Sequence, residues 1–199
     1  REYHDAWYEP SRMVVIVAGN IGHGTNNMKQ KTEEWFAKLP KRKTADIEVV
    51  TSKQTTPQLV VVTKRDAAQA HLVLGLRAFA RGSEDRFAWG LFNLIMGVSF
   101  TSRLFKEIRE KRGLCYHIRS GNSAYAEVGS WDIYAGVATE KVGEATKVIV
   151  SELTKAREKG VTEEELVVAK KRLKTMLAFR SEDPEFWTEW YGRAEMYGL

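Results

Sequence analysis

Between Gln69 and Phe79 the chain alternates with a strict period of two. His71, Val73, Gly75 and Arg77 fall on one side, and Leu72, Leu74, Leu76 and Ala78 on the other. Successive side chains of an extended backbone point to opposite faces, so the spacing predicts a half-buried antiparallel strand over Ala70–Phe79. Such a strand needs ladder partners and a layer over its apolar face. Leu59–Lys64, across Arg65-Asp66-Ala67-Ala68, reads as its neighbour, and Cys115–Ser120 and Ser130–Val137 read as two further strands. Met13–Gly19, an apolar β-branched run closed by glycine, reads as a buried strand.

Helical periodicity supplies the covering layer. Asn27–Leu39 spaces Met28, Trp35, Phe36 and Leu39 on one face; Asp85–Met96 turns Phe87, Leu91, Leu94 and Ile95 inward; Ser102–Lys111 starts at a serine N-cap. A long helix over Lys141–Glu158 stops at Gly160. The next opens on the capping box Thr162-Glu163-Glu164-Glu165 and carries Leu166, Ala169, Leu173 and Leu177, and an aromatic helix with Phe186, Trp187, Trp190 and Tyr191 follows Asp183-Pro184. The fold class is therefore α+β, an antiparallel-rich sheet with helices packed on one face. Lys41–Thr56, polar around Ile47–Val50 and followed by Pro57, reads as a linker over residues 41–56.

Composition narrows the function. The 199 residues are 43% apolar and carry a net charge of +5, values of an ordinary globular chain. No apolar run approaches the roughly 20 residues that span a bilayer, so no membrane span is expected. The single cysteine, Cys115, excludes an internal disulfide. His4, His23, His71 and His117 lie far apart, so no two are spaced to ligate a metal from one helical face, and no zinc site is expected in this chain. The start, Arg1-Glu2-Tyr3-His4-Asp5, has neither an initiator Met nor an apolar leader and reads as part of a longer chain. Neither a cytoplasmic nor a periplasmic setting is selected.

The stretch Thr101–Tyr116 is densest in chemistry: a short basic helix, a stop at Gly113, and a strand that begins near Tyr116. Arg109 and Tyr116 flank the corner, a forked guanidinium beside a phenol that can donate to a carbonyl or an oxyanion. The alternative is a solvated basic helix laced by Arg103–Glu107 and Lys106–Glu110 pairs. Cys115 and His117, two apart on a strand, would share a face as thiol and imidazole, and His71 could meet His117 across neighbouring strands as a metal pair. Both arrangements compete with buried-cysteine and satisfied-histidine readings. The basic clusters Lys170-Lys171-Arg172 with Lys174, and Lys41-Arg42-Lys43, read as solvated faces, so no nucleic-acid partner is expected. The Trp187, Trp190 and Tyr191 stripe makes a second copy of the chain a candidate partner.

Several of these stretches together resemble the carboxyl-terminal half of M16 zinc peptidases of the insulinase and mitochondrial-processing-peptidase kind. They are Met96-Gly97, Ser102-Arg103-Leu104-Phe105, Arg109 through Tyr116, Tyr8 through Gly19, Gln69 through Gly75, Gly129-Ser130-Trp131 and Tyr134 through Val137. The most specific element is the Arg-x6-Tyr spacing. The resemblance implies that residues 1–40 end a preceding half-domain and that residues 57–199 form a carboxyl-terminal domain, truncated at its end. It implies a peptide substrate and a zinc ion held by His-x-x-Glu-His in a missing amino-terminal domain or a partner subunit. It casts Arg109 and Tyr116 as substrate contacts of an endopeptidase and leaves the chain inactive alone. The family also contains non-catalytic structural or assembly subunits, and this chain is alternatively one of those.

Overall fold

In a computed structural model, which describes residues 1–21, 25–39, 49 and 53–198, the period-two stretch is strand β1, Ala70–Ala78. It pairs antiparallel with β3 (Gly129–Val137), which pairs on its other side with β2 (Cys115–Ala124), giving the order β1-β3-β2. Leu74 stands opposite Ile133, and Ile118 opposite Ala135. Trp131, Ile133, Ala135 and Val137 of β3 point to one face and are fully buried. Helices cover that face alone, as the alternation in β1 demands, and the other face carries His71, Val73, Arg77, His117, Arg119, Asp132 and Tyr134.

The described chain divides into two compact units, Val50–Lys174, which contains the sheet, and Arg1–Val49 with Thr175–Leu199. In the sheet unit, α3 (Arg86–Asn93) widens into a π-helical turn over Leu94–Val98. A π turn advances the chain by more residues per revolution, and here it sets Leu94, Ile95, Met96 and Gly97 in one buried run. Gly97 is a requirement of packing, because a Cβ there would stand 2.7 Å from the Ser120 amide nitrogen. Trp89 and Phe92, and not Phe87, are the aromatics that meet the sheet: Trp89 lies edge-on to Trp131 at 5.8 Å and donates from Nε1 to Asn122 Oδ1 at 3.1 Å, and the Phe92 ring lies 5.7 Å from that of Trp131. Phe87 is 68% exposed, with the Arg86 guanidinium over its ring.

Helix α4 (Val142–Lys159) lays Ala145, Ile149 and Ala156 on the core and stops at Gly160, whose φ of 69° suits glycine. Helix α5 (Glu163–Arg180) is capped as the sequence predicts: Thr162 N donates to Glu165 Oε2 at 2.8 Å and Glu165 N to Thr162 Oγ1 at 3.2 Å. The other unit holds α1 (Glu2–Trp7), α2 (Thr25–Phe36) and α6 (Pro184–Tyr197), the last capped by Asp183, which accepts from Glu185 N at 2.9 Å.

Two expected strands are not strands. Met13–Gly19 and Leu59–Lys64 join no ladder, and Leu59 to Val62 are between 75% and 88% exposed. β-branched runs form strands only when a neighbour takes their backbone groups, and none among the described residues does. Of the expected linker, residues 41–48 and 50–52 lie outside the described residues, as does the cluster Lys41-Arg42-Lys43.

Candidate functional site: a helix-to-strand corner

Ser102 to Glu110 forms the short basic helix, π-helical over Phe105–Glu110. Leu104 and Ile108 anchor it, both fully buried. Its end is tied down by three backbone bonds: Lys111 N to Lys106 O at 2.9 Å, Gly113 N to Arg109 O at 3.1 Å, and Leu114 N to Ile108 O at 2.9 Å. Gly113 takes the left-handed conformation, φ 57°, that turns the chain out of the helix. The Ile108–Leu114 bond thus places the start of β2 beside the last helical turn, with Arg109 one residue after Ile108 and Tyr116 two residues after Leu114.

Electrostatics stiffen the corner. Glu107 accepts from Lys111 Nζ and from Arg112 Nη1 at 2.6 Å, and Arg112 Nη1 also reaches the Glu107 carbonyl at 2.6 Å. Hydrogen bonds from Lys111 and then Arg112 hold the Glu107 carboxyl at about 2, against an ordinary 4.5. Lys141 Nζ donates to Gly113 O at 3.2 Å. Arg109 is exposed and has no carboxylate partner among the described residues; its guanidinium rests 5.1 Å above the Phe105 ring. Tyr116 is 64% exposed.

The expected helix pairs Arg103–Glu107 and Lys106–Glu110 are replaced. Arg103 turns instead to α5 and grips Glu165 with two nitrogens, both at 2.5 Å, while Nη2 also donates to Gly160 O at 3.0 Å. A forked, charge-assisted bond to the Glu165 carboxylate is the stronger alternative for Arg103.

A β-bulge between Cys115 and His117 decides the thiol–imidazole question. The extra residue, Tyr116, reverses the parity of the strand, so Cys115 points into the core at 8% exposure and His117 to the open face. Burial pushes the Cys115 thiol up, Arg109 acting weakly the other way. The pair does not share a face. The same bulge gives Tyr116 its outward position at the corner.

His71 and His117 both stand opposite Gly136, with β3 between them, so they are two strand spacings apart, about 10 Å. They are not on neighbouring strands. Tyr134 occupies the gap, its hydroxyl 2.7 Å from His71 Nδ1 and its ring 5.9 Å from that of His117. Among the described residues no three His, Cys, Asp or Glu side chains converge on one point, so these residues do not fit a zinc ion. Sequence reading missed Asn93, whose Oδ1 accepts from both Trp131 Nε1 and Ser120 Oγ at 2.6 Å. It also missed Glu107 as the knot of the corner; the four- and five-residue spacings to Lys111 and Arg112 were its signal.

The fold is a three-stranded antiparallel sheet covered by helices on one face, and comparison places it. Residues 1–173 match the Peptidase M16 inactive domain, and the chain belongs to the M16 peptidase family. It is 34% identical over 199 residues to a zinc protease of Mycobacterium leprae, covering 98% of this chain and 44% of that protein. It is 31% identical over 178 residues to a zinc protease of Bacillus subtilis, covering 89% and 42%. The chain therefore spans less than half the length of these curated relatives. Among solved structures, a protease from Helicobacter pylori matches 99% of this chain and 48% of its own with a TM-score of 0.81 at 21% identity, a likeness of fold. A peptidase M16 inactive domain from Pseudomonas fluorescens matches 67% of this chain and 31% of its own, with a TM-score of 0.62 at 28% identity.

Proposed function

We propose that this chain is the substrate-binding, non-zinc part of an M16 metalloendopeptidase that cleaves extended peptides, with Arg109 and Tyr116 as its substrate contacts. One observation carries the reading. In a corner where Lys111 and Arg112 are both committed to Glu107, Arg109 keeps no carboxylate among the described residues, and both Arg109 and Tyr116 are exposed. A guanidinium fixed over Phe105 presents forked donors to peptide carbonyls, and a phenol on a bulged strand donates to an oxygen on which charge develops. The zinc and its general-base carboxylate would reside in a domain with a His-x-x-Glu-His stretch, outside this chain.

The test is reconstitution. The chain alone should show no zinc-dependent peptide hydrolysis, and adding a half that carries His-x-x-Glu-His should restore it. In that mixture Arg109→Ala and Tyr116→Phe should each lower kcat/KM by about 10²–10³, the usual loss of one oxyanion donor. Restored activity indifferent to both substitutions would reject the residue roles and favour a structural subunit.

A further inference from the structure

Between the turn after α3 and the first half of α5 lies a cavity of about 270 Å³. Leu94 and Ile95 from the turn and Val168 and Ala169 from α5 give it an apolar lining. Lys106 and Arg172 line it as well, with the hydroxyls of Ser99 and Thr101, which bond each other at 3.0 Å. Two carboxylates also border it. Glu165 is committed, since both oxygens are held by Arg103 and its pKa is lowered by that bond. That leaves Lys106 and Arg172 against Glu164 alone.

Arg172 Nε is shut off from solvent within this lining and meets no acceptor among the described residues. Arg172 itself is half-buried, but a donor atom closed to solvent without an acceptor is rare in native proteins, because it has given up water for nothing. At the liquid share of about 30 Å³ per water, the cavity holds the equivalent of about nine waters, more than one bridging molecule. Positive charge, forked donors and an apolar lining together select one chemistry. We propose that the cavity binds a carboxylate on a short apolar tail, the carboxylate between Arg172 and Lys106 and the tail against Ile95 and Val168. The guanidinium fork suits two carboxylate oxygens, and whichever of the paired Ser99 and Thr101 hydroxyls accepts from the other can donate to the same group. A free carboxylic acid and the carboxyl end of a peptide present this same chemistry.

Calorimetric titration of the whole 199-residue chain with hexanoate should show saturable binding, and hexanamide should bind at least tenfold more weakly. Arg172→Met should weaken hexanoate at least tenfold. Should that variant misfold, the exposed Glu164→Gln gives an independent reading: removing the opposing charge should tighten hexanoate about threefold. A dipeptide acid ending in leucine, set against its amide, separates the sources. Binding of the dipeptide acid tenfold tighter than hexanoate identifies a peptide terminus, and the reverse order a free acid. Equal binding of hexanoate and hexanamide, no binding at all, or an affinity unmoved by both substitutions would overturn the proposal.

Discussion

At the scale of single residues the sheet unit depends on a few polar atoms. Asn93 Oδ1 is the shared acceptor for Trp131 Nε1 and Ser120 Oγ, and both donors are buried. Asn93→Ala would strand both, at about 1–3 kcal/mol for each unmet donor, and is expected to destabilise the fold by about 2–4 kcal/mol in urea unfolding. A loss below about 0.5 kcal/mol would show that water replaces the amide. Glu107 makes a pH-dependent contribution of known sign. Its folded pKa of about 2 lies below the ordinary 4.5, so its stabilisation is complete above pH 4.5 and fades as pH falls toward 2. Between pH 6 and pH 3 the wild type should lose more unfolding free energy than Glu107→Gln, and parallel curves would contradict this. Cys115, buried with its thiol pushed up, should react with a thiol reagent far more slowly in the folded chain than in urea.

At the scale of elements the strongest cross-link is Arg103 to Glu165, which joins the basic helix to the start of α5. Glu165 also receives the Thr162 amide, so it closes a capping box and an ion pair at once. Arg103→Met and Glu165→Gln should each destabilise, and in a double-mutant cycle they should show a coupling of about 1–3 kcal/mol; a coupling near zero would mean the pair is solvated like an ordinary surface bridge. What was readable in the sequence follows the same division between local and distant causes. The capping box, the Gly160 stop and the alternation in β1 are local, and each is where the spacing put it. The π turns were not readable, because the widening in Leu94–Val98 is set by what the buried run packs against, Gly97 on Ser120 among them. Nor was the bulge that separates Cys115 from His117, since one extra residue in a strand appears only in its register with β3. Arg109 and Tyr116 could be placed at the corner from the Gly113 stop; that Glu107 takes Lys111 and Arg112, while Arg109 has no ion pair among the described residues, could not.

At the scale of the whole molecule, Leu59–Val62 is the segment whose sequence and surroundings disagree most. In a strand Leu59 and Val61 would face one side and Val60 and Val62 the other, and here all four are exposed. A run apolar on both sides is the pattern of a strand covered above and below. Unpaired backbone groups beside such side chains form a template for another strand. The edges of the sheet, β1 and β2, offer the same invitation. Expressed by itself, the chain should therefore associate with itself, and light scattering coupled to gel filtration should find species above 22.7 kDa at micromolar concentration. Placing a lysine on each side, Val60→Lys with Val61→Lys, should shift the population toward monomer at least tenfold in dissociation constant, since charged edges resist strand addition. The same pair of lysines tests the origin of the association. If oligomers persist unchanged, the exposed aromatics Trp190 and Tyr191 of α6 become the interface to mutate, and a monodisperse monomer of the wild-type chain at about 100 μM would show that Leu59–Val62 stays single without any partner.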